Sequence, residues 1–306
     1  MSLAISTSWN AHRSQNAAEL LFEIKALGFT DVELSFNLEA EFVEALGRES
    51  AGQGIRILSV HNYCPIPPGL TRREALPDCY SLASLKEEER RLAVKYTKNT
   101  ISTASGLGAR AVVLHCGRVQ IPDATRRLIE LYDRGRSGQP GFIKIKDKML
   151  RQRDTRSAAF LDQVIKSLDE LNTYAKTKNI FLGVETRFYY CEIPSLSEIG
   201  IILDKFSHSQ IYYWHDTGHA QLMENLGLAK HKDFLDLYGH RLLGVHLHDI
   251  RGCRDHLAPG TGTMDFGLLK PYLTKDTLLT VEAHDPATAE EVGKSRELIR
   301  KIYGID

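Results

Sequence analysis

The sequence predicts an α/β fold, a (β/α)8 TIM barrel, with a long basic insertion after the fourth strand. Three observations point there. Short aliphatic or β-branched runs alternate with helical stretches along the whole chain, and eight such runs can be placed in order. Apolar runs this short read as buried parallel strands. Residues of metal-ligand type stand where those runs stop: His61 in ILSVHNY, His115 in AVVLHCG, Glu185 in FLGVETR, Asp216 and His219 in IYYWHDTGH, His246 in LLGVHLHD, His256 in CRDHLAPG and Glu282 in LLTVEAH. The carboxyl ends of barrel strands share one mouth, so these groups are expected to converge. Finally, 306 residues suit one barrel domain with an insertion.

The elements follow in order. Leu3–Ser8 is the first strand. Ala17–Leu27 is helical in pattern and stops at Gly28, a natural residue just past a helix end. Asp31–Leu34, Glu39–Gln53 and Ile55–Val60 read as strand, helix and strand. Lys86–Leu107 is a long helix whose acidic opening, Glu87-Glu88-Glu89, suits a helix N-terminus. Ala111–Leu114 is the fourth strand. Phe160, Leu161, Val164, Ile165, Leu168 and Leu171 recur at three-to-four spacing, which predicts a helix over Ser157–Lys178. Ile180–Val184, Ile211–Trp214, Leu242–Val245 and Thr277–Val281 complete the strands. Pro194–Phe206, capped near Ser195, and Ala287–Ile302 are helices, with another short one near Phe266–Leu273.

Residues 118–156 interrupt the alternation and read as a connection far longer than an ordinary strand-to-helix loop. They hold 11 Lys/Arg against 5 Asp/Glu, a local net charge of +6 in a chain whose 39 basic and 39 acidic residues balance. Such a segment can cover a site or attract an anion, and it can equally be a solvated excursion or a packing surface for another subunit. A homo-oligomer is therefore left open. Global neutrality gives no sign of a polyanion partner, which disfavours nucleic acid. Five scattered cysteines without a close pair fit reduced thiols in the cytoplasm. The N-terminus lacks the pattern of a secretory leader, and no window is apolar enough to span a membrane.

Imidazoles and carboxylates at one mouth are the ligands of Zn2+, Mn2+ or a similar divalent ion. A lone buried histidine is more often a satisfied core residue than a ligand. A buried carboxylate is harder to dismiss, because it demands a cation or several donors. Alternation along a strand gives His246 and His248 one direction, with Leu247 turned to the outer helices. In Asp216-Thr-Gly-His219, Gly218 is expected to let a turn bring His219 back to the mouth. Trp9, Tyr63, Phe188, Tyr189 and Tyr190 supply aromatic faces on which a sugar, or an unstacked base, can lie. Trp9, Arg187 and His248 are taken as substrate contacts.

The VET, HDTGH, VHLHD and VEAH stretches over strands five to eight resemble the xylose-isomerase-like TIM-barrel superfamily, which includes sugar isomerases, sugar-phosphate isomerase/epimerase-like proteins and the endonuclease IV type of apurinic-site nuclease. The resemblance implies a metal quartet at Glu185, Asp216, His246 and Glu282, with the two glutamates moving protons and His219 near a substrate oxygen. The substrate would be a sugar or sugar phosphate. The nuclease pattern implies instead several zinc ions held by His61, His115, Glu185, Asp216, His219, His246, His256 and Glu282. One further aspartate of that pattern falls on Arg254, with Asp255 one step out of register. Three classes follow: a metal-dependent sugar isomerase or epimerase, a multinuclear zinc phosphoesterase or apurinic-site endonuclease, and a barrel that binds without catalysis. The retained glutamates argue against the last. Neutral charge favours the first, while the extra histidines and the basic insertion favour the second.

Overall fold

A computed structural model describes residues 1–305. Eight parallel strands close into a barrel in the order β1, β10, β7, β6, β5, β4, β3, β2. Their ranges are Ser2–Ser6 (β1), Asp31–Leu34 (β2), Arg56–His61 (β3), Ala111–Leu114 (β4), Phe181–Glu185 (β5), Ile211–Asp216 (β6), Leu242–Leu247 (β7) and Leu278–Val281 (β10). The two remaining strands, Asp249–Arg251 (β8) and Arg254–Leu257 (β9), form an antiparallel hairpin outside the barrel. Pairing of Asp216 with His246, and of Thr280 with His246, sets the carboxyl ends of β6, β7 and β10 level.

Side chains pointing out of the barrel bury against the helices. Ile5, Val32, Val60, Leu114, Val184 and Leu247 pack into this main core with Leu20 and Ile24 of α1 (Ala17–Ala26) and Leu46 of α2 (Ala40–Gln53). Side chains pointing in form a smaller cluster of Ala4, Leu58, Ala111, Val113, Trp214, Leu243 and Leu278. Trp214 is its bulk. A Cβ added at Gly244 would stand 2.4 Å from the indole, so glycine on β7 makes room for that ring. The indole in turn underlies the His246 imidazole, their ring centres 5.2 Å apart.

Helix α3 (Glu87–Gly106) follows the predicted bounds closely, with Glu87, Glu88 and Glu89 in its first turn. Gly28 takes φ +83°, the left-handed conformation expected just past α1. The insertion differs from the sequence reading. It is mostly helix: α4 (Thr125–Asp133) precedes α5 (Pro140–Lys178), whose 39 residues start well before Ser157. Pro140 sits in the first turn, where its missing N–H loses no bond. The charges that suggested a loop lie on solvated faces, while Phe142, Met149 and Leu128 bury in a second cluster with Met223 and Phe234. Arg153 of this segment is itself buried, donating to Glu198 and, at 2.8 Å, to the Tyr190 carbonyl.

Helix α6 (Leu196–Lys205) starts at Ser195, whose N–H donates to Glu198 at 2.7 Å. Two short helices, α7 (Thr217–Asn225) and α8 (His231–Tyr238), fill the β6–β7 connection, and α9 (Ala289–Tyr303) closes the ring. Among the described residues no helix is long and apolar enough to cross a membrane, and all five cysteines are free thiols.

Candidate metal centre

Four strands deliver three buried acids and one imidazole to a point at the carboxyl end of the barrel. Glu185 and Asp216 are the last residues of β5 and β6, His246 stands near the end of β7, and Glu282 follows β10. One ligand atom from each of these four lies within 4.8 Å of all the others. Nδ1 of His246 is 2.7 Å from Glu185 Oε1, 2.9 Å from Glu282 Oε2 and 3.8 Å from Asp216 Oδ2.

The far nitrogen of that ring is held by a residue the sequence reading did not single out. Nε2 of His246 donates to Glu33 Oε1 at 3.0 Å, and the hydroxyl of Ser59 donates to Glu33 Oε2 at 2.7 Å. Glu33 is fully buried on β2. Its signal in the sequence was a lone acid inside the apolar run DVELS. Anchoring Nε2–H on a carboxylate fixes the ring and turns Nδ1 to the centre, the arrangement common behind metal-bound histidines.

Asp216 is divided. Its Oδ1 accepts from the His219 backbone N–H and from Nε2–H of His248, both at 2.8 Å. Its Oδ2 is buried without a hydrogen-bond partner. Burial pushes this carboxyl up, but the His219 and His248 rings hold it down at about 2. Burial also opposes the charge on His246, yet Glu282 and Glu33 draw its imidazole well above the ordinary range. Glu185 and Glu282 lie well below theirs, burial being outweighed by His115 and His246 for the first and by His246 and His256 for the second.

Glu33, Glu185, Asp216 and Glu282 are thus four buried carboxylates around one imidazole, with the Arg187 guanidinium on Glu185. Such an excess of buried acid calls for a cation. The orphaned Asp216 oxygen and the oxygen–nitrogen donor set fit a divalent ion of the Mn2+ or Zn2+ kind.

His248 lies beside this centre but has no lone pair to offer it. Its Nε2–H is spent on Asp216, and its Nδ1 accepts the His256 backbone N–H at 2.9 Å. It orients Asp216, is fully buried, and does not line the cavity that opens above Glu185 and Glu282. Gly218 serves this packing. It lies in the first turn of α7, and a Cβ there would meet the His248 ring at 2.1 Å. The glycine is needed for close approach, where the sequence reading expected a turn.

Imidazoles flank the centre on two sides. His61 donates from Nδ1 to the Asn62 carbonyl at 3.0 Å, leaving Nε2 4.0 Å from Glu185 Oε2. His115 brings Nε2 to 2.7 Å from the same oxygen. Burial, and then His115, lower the His61 pKa. Opposite, His219 donates from Nδ1 to the Thr186 carbonyl at 3.0 Å, so its Nε2 faces Asp255 Oδ2 at 3.7 Å. His256 takes φ +51°, a left-handed conformation unusual for histidine, and its Nδ1 meets Asp255 at 2.8 Å. The hairpin thus brings Asp255 to the site although it is one step out of register in the sequence. Burial lowers the His256 pKa less than Asp255 raises it, to about 9. Its ring stacks between His248, at 4.1 Å, and His284, at 4.0 Å.

These groups open on a cavity of about 240 Å3, walled by Phe36, Phe188 and Tyr189 and floored by Glu185 and Glu282. Arg187 lines it too, donating to Glu185 and, at 3.3 Å, to Glu192. Trp9 is elsewhere: it is fully buried and its indole N–H donates to the Ala287 carbonyl at 2.9 Å.

The pattern of one known family, the xylose isomerase-like TIM barrel, matches residues 21–302. The chain belongs to that family. A relative within reach of sequence comparison is the uncharacterized protein y4fM of Sinorhizobium fredii, 25% identical over 256 residues that cover 79% of this chain and 72% of that one. Solved structures share the barrel at lower identity. A D-tagatose 3-epimerase-like protein is 19% identical, with a TM-score of 0.68 over 100% of this chain and 98% of that one. An L-ribulose 3-epimerase is 17% identical, with a TM-score of 0.69 over 99% and 95%. The 3-keto-D-glucoside 4-epimerase of E. coli is 15% identical, with a TM-score of 0.68 over 98% and 99%. At these identities the xylose isomerase-like fold is what is shared.

Proposed function

We propose that this protein is a divalent-metal-dependent isomerase or epimerase acting on a sugar or sugar phosphate by carboxylate-mediated proton transfer. The observation that carries the reading is the placement of Glu185 and Glu282. Both are buried, both reach the same His246 nitrogen, and both floor a cavity with aromatic walls. Sugars stack on such walls. The names of the solved relatives, several of them sugar 3-epimerases, agree with it.

A divalent ion held by Glu185, Asp216, His246 and Glu282 would polarise substrate oxygens and acidify a proton next to a carbonyl. The glutamates do the rest. One carboxylate takes that proton; the other gains one from solvent and returns it to the substrate carbon, and the first then releases its own to solvent. Arg187 and His115 hold Glu185 in place, and His219, with Nε2 free, is set to receive a substrate hydroxyl proton in a hydrogen bond. The free thiols, four of the five buried, suit a cytoplasmic protein.

One observation favours a second reading. His61, His115 and Glu185 bring three ligand atoms within 4.8 Å of one another, as a second ion would require. A second ion, which His61, His115 and Glu185 would hold, would supply the chemistry of phosphodiester hydrolysis of the endonuclease IV type.

Incubation with ketohexoses, pentuloses and their phosphates in D2O with Mn2+ separates the two. The expected result is deuterium entry at carbon, or a new epimer, by NMR. Metal-dependent cleavage of apurinic-site DNA that is lost in Glu282→Gln, with no exchange on any sugar, would overturn the first reading in favour of the second.

A further inference from the structure

Behind the candidate metal centre runs a hydrogen-bond chain, buried from His231 to Thr186, that neither the quartet nor the cavity uses. It starts at the turn of the β8–β9 hairpin. Asn225 Nδ2 donates to the Gly252 carbonyl at 2.7 Å, and Gln221 Nε2 donates to Asn225 Oδ1 at 3.0 Å. Gln221 Oε1 meets His231 Nδ1 at 3.1 Å, and His231 Nε2 meets His215 Nε2 at 2.9 Å. His215 Nδ1 then meets the Tyr213 hydroxyl, and that hydroxyl meets the Thr186 hydroxyl, each at 2.7 Å. Thr186, His215, Tyr213 and His231 are all buried.

The direction of every bond in this chain follows from one end. A backbone carbonyl only accepts, so Asn225 must present its amide nitrogen to Gly252 and its oxygen to Gln221. Gln221 then shows its oxygen to His231, which must donate from Nδ1 and accept at Nε2. His215 must therefore donate from Nε2 and accept at Nδ1. Tyr213 donates to it and accepts from Thr186. Reversal would set two acceptors against each other at the half-buried Gly252 end, which is unfavourable. The far end lies among the site residues. Thr186 follows Glu185, its hydroxyl receives the Asp216 N–H at 3.4 Å, and its carbonyl receives His219 Nδ1 at 3.0 Å. The near end belongs to the hairpin that carries Asp255 and His256.

We propose that Tyr213, His215 and His231 are positioning residues: a one-way relay that fixes Thr186 between the β5 and β6 ligands and ties the Asp255–His256 hairpin to them. Both nitrogens of His215 are used within the relay, so it is no ligand itself. The inference rests on the proposed function only for the divalent ion at Glu185 and Asp216, and its test uses no sugar.

The first measurement is nitrogen NMR of the wild-type imidazoles at neutral pH. His215 is expected as the Nε2–H form and His231 as the Nδ1–H form; the opposite pair, or a charged ring in either place, overturns the relay. The second uses Asn225→Asp, which keeps the acceptor for Gln221 but turns an oxygen on the Gly252 carbonyl. Expected are an unchanged His215 tautomer, since Gln221 still donates to residue 225, together with hairpin amides at 250–257 exchanging about tenfold faster and Mn2+ bound about tenfold more weakly. A merely structural role would lower the melting temperature and leave Mn2+ affinity unchanged. Should Asn225→Asp not fold, His231→Gln carries the exchange and Mn2+ measurements. Unchanged hairpin exchange and unchanged Mn2+ affinity in a folded variant reject the positioning role. Loss of the isomerase reading would show separately, in the D2O assay.

Discussion

Glu33 and His246 meet across the barrel, Oε1 to Nε2 at 3.0 Å, although 213 residues separate them. The contact sets which nitrogen of His246 faces Glu185, Asp216 and Glu282. Removing it frees the ring to rotate and leaves Nε2–H buried without a partner. Glu33→Ala is therefore expected to weaken Mn2+ binding by roughly 10–100-fold, the usual effect of losing a carboxylate behind a metal-bound histidine. Glu33→Gln, which can still accept from Nε2–H, is expected to lose less. Calorimetric titration of the two variants with Mn2+ checks the order, and equal affinity in wild type and Glu33→Ala would refute it.

Asp216→Asn tests the quartet where it is most exposed to a single atom. The amide oxygen can still accept from the His219 N–H and from His248, so the cap of α7 is kept. The amide nitrogen then replaces the orphaned oxygen and turns N–H groups on the centre. Bound metal is expected to fall sharply by elemental analysis while the far-ultraviolet circular dichroism is unchanged. A wild-type metal content would remove Asp216 from the ligand set.

How far the site was legible in the sequence depends on where each residue stands. Glu185, Asp216, His246 and Glu282 end or nearly end apolar runs, and strand periodicity is enough to place them at one mouth. Glu33 sits inside its run, where an acid reads as a flaw in a strand; only the partners on β7 and β3 explain it. Asp255 depended on the left-handed turn at His256, a tertiary choice. Trp9 was attractive as an aromatic near the first strand, but its neighbours in space come from residue 287, far along the chain. The 39-residue α5 was missed in its first half because dense Lys/Arg there masks the spacing of Phe142 and Met149.

Acid stability follows from His231. Burial lowers its pKa to about 4, with Glu224 and Asp216 opposing, against about 6.5 in an unfolded chain. Between those values the unfolded state binds the extra proton, so folding stability must rise with pH there and fall as pH drops. No stability is lost to this group above about 6.5, and the loss amounts to on the order of 3 kcal/mol by the time pH reaches 4. His231→Gln, which cannot titrate, is expected to flatten this part of the pH dependence in urea titrations. A variant losing stability as steeply as wild type over that range would assign the acid sensitivity to other groups.

His115→Ala decides what the flanking imidazoles do. Nε2 of His115 sits 2.7 Å from Glu185 Oε2, and the free Nε2 of His61 is 4.0 Å from the same oxygen. If those nitrogens hold a second ion with Glu185, the variant should lose about one metal equivalent and keep the one at the quartet. If they position substrate, metal content stays whole and KM or kcat worsens in the sugar exchange assay. We expect the second outcome, because the cavity above Glu185 and Glu282 must receive a substrate whose hydroxyls need partners, and His61 and His115 stand beside Glu185 in its lining. Elemental analysis at saturating Zn2+ reads the first quantity directly. Loss of one equivalent in His115→Ala, with a wild-type content above one per chain, would move the preferred chemistry from proton transfer to hydrolysis. Unchanged metal together with unchanged sugar kinetics would assign the His115–Glu185 contact to neither role.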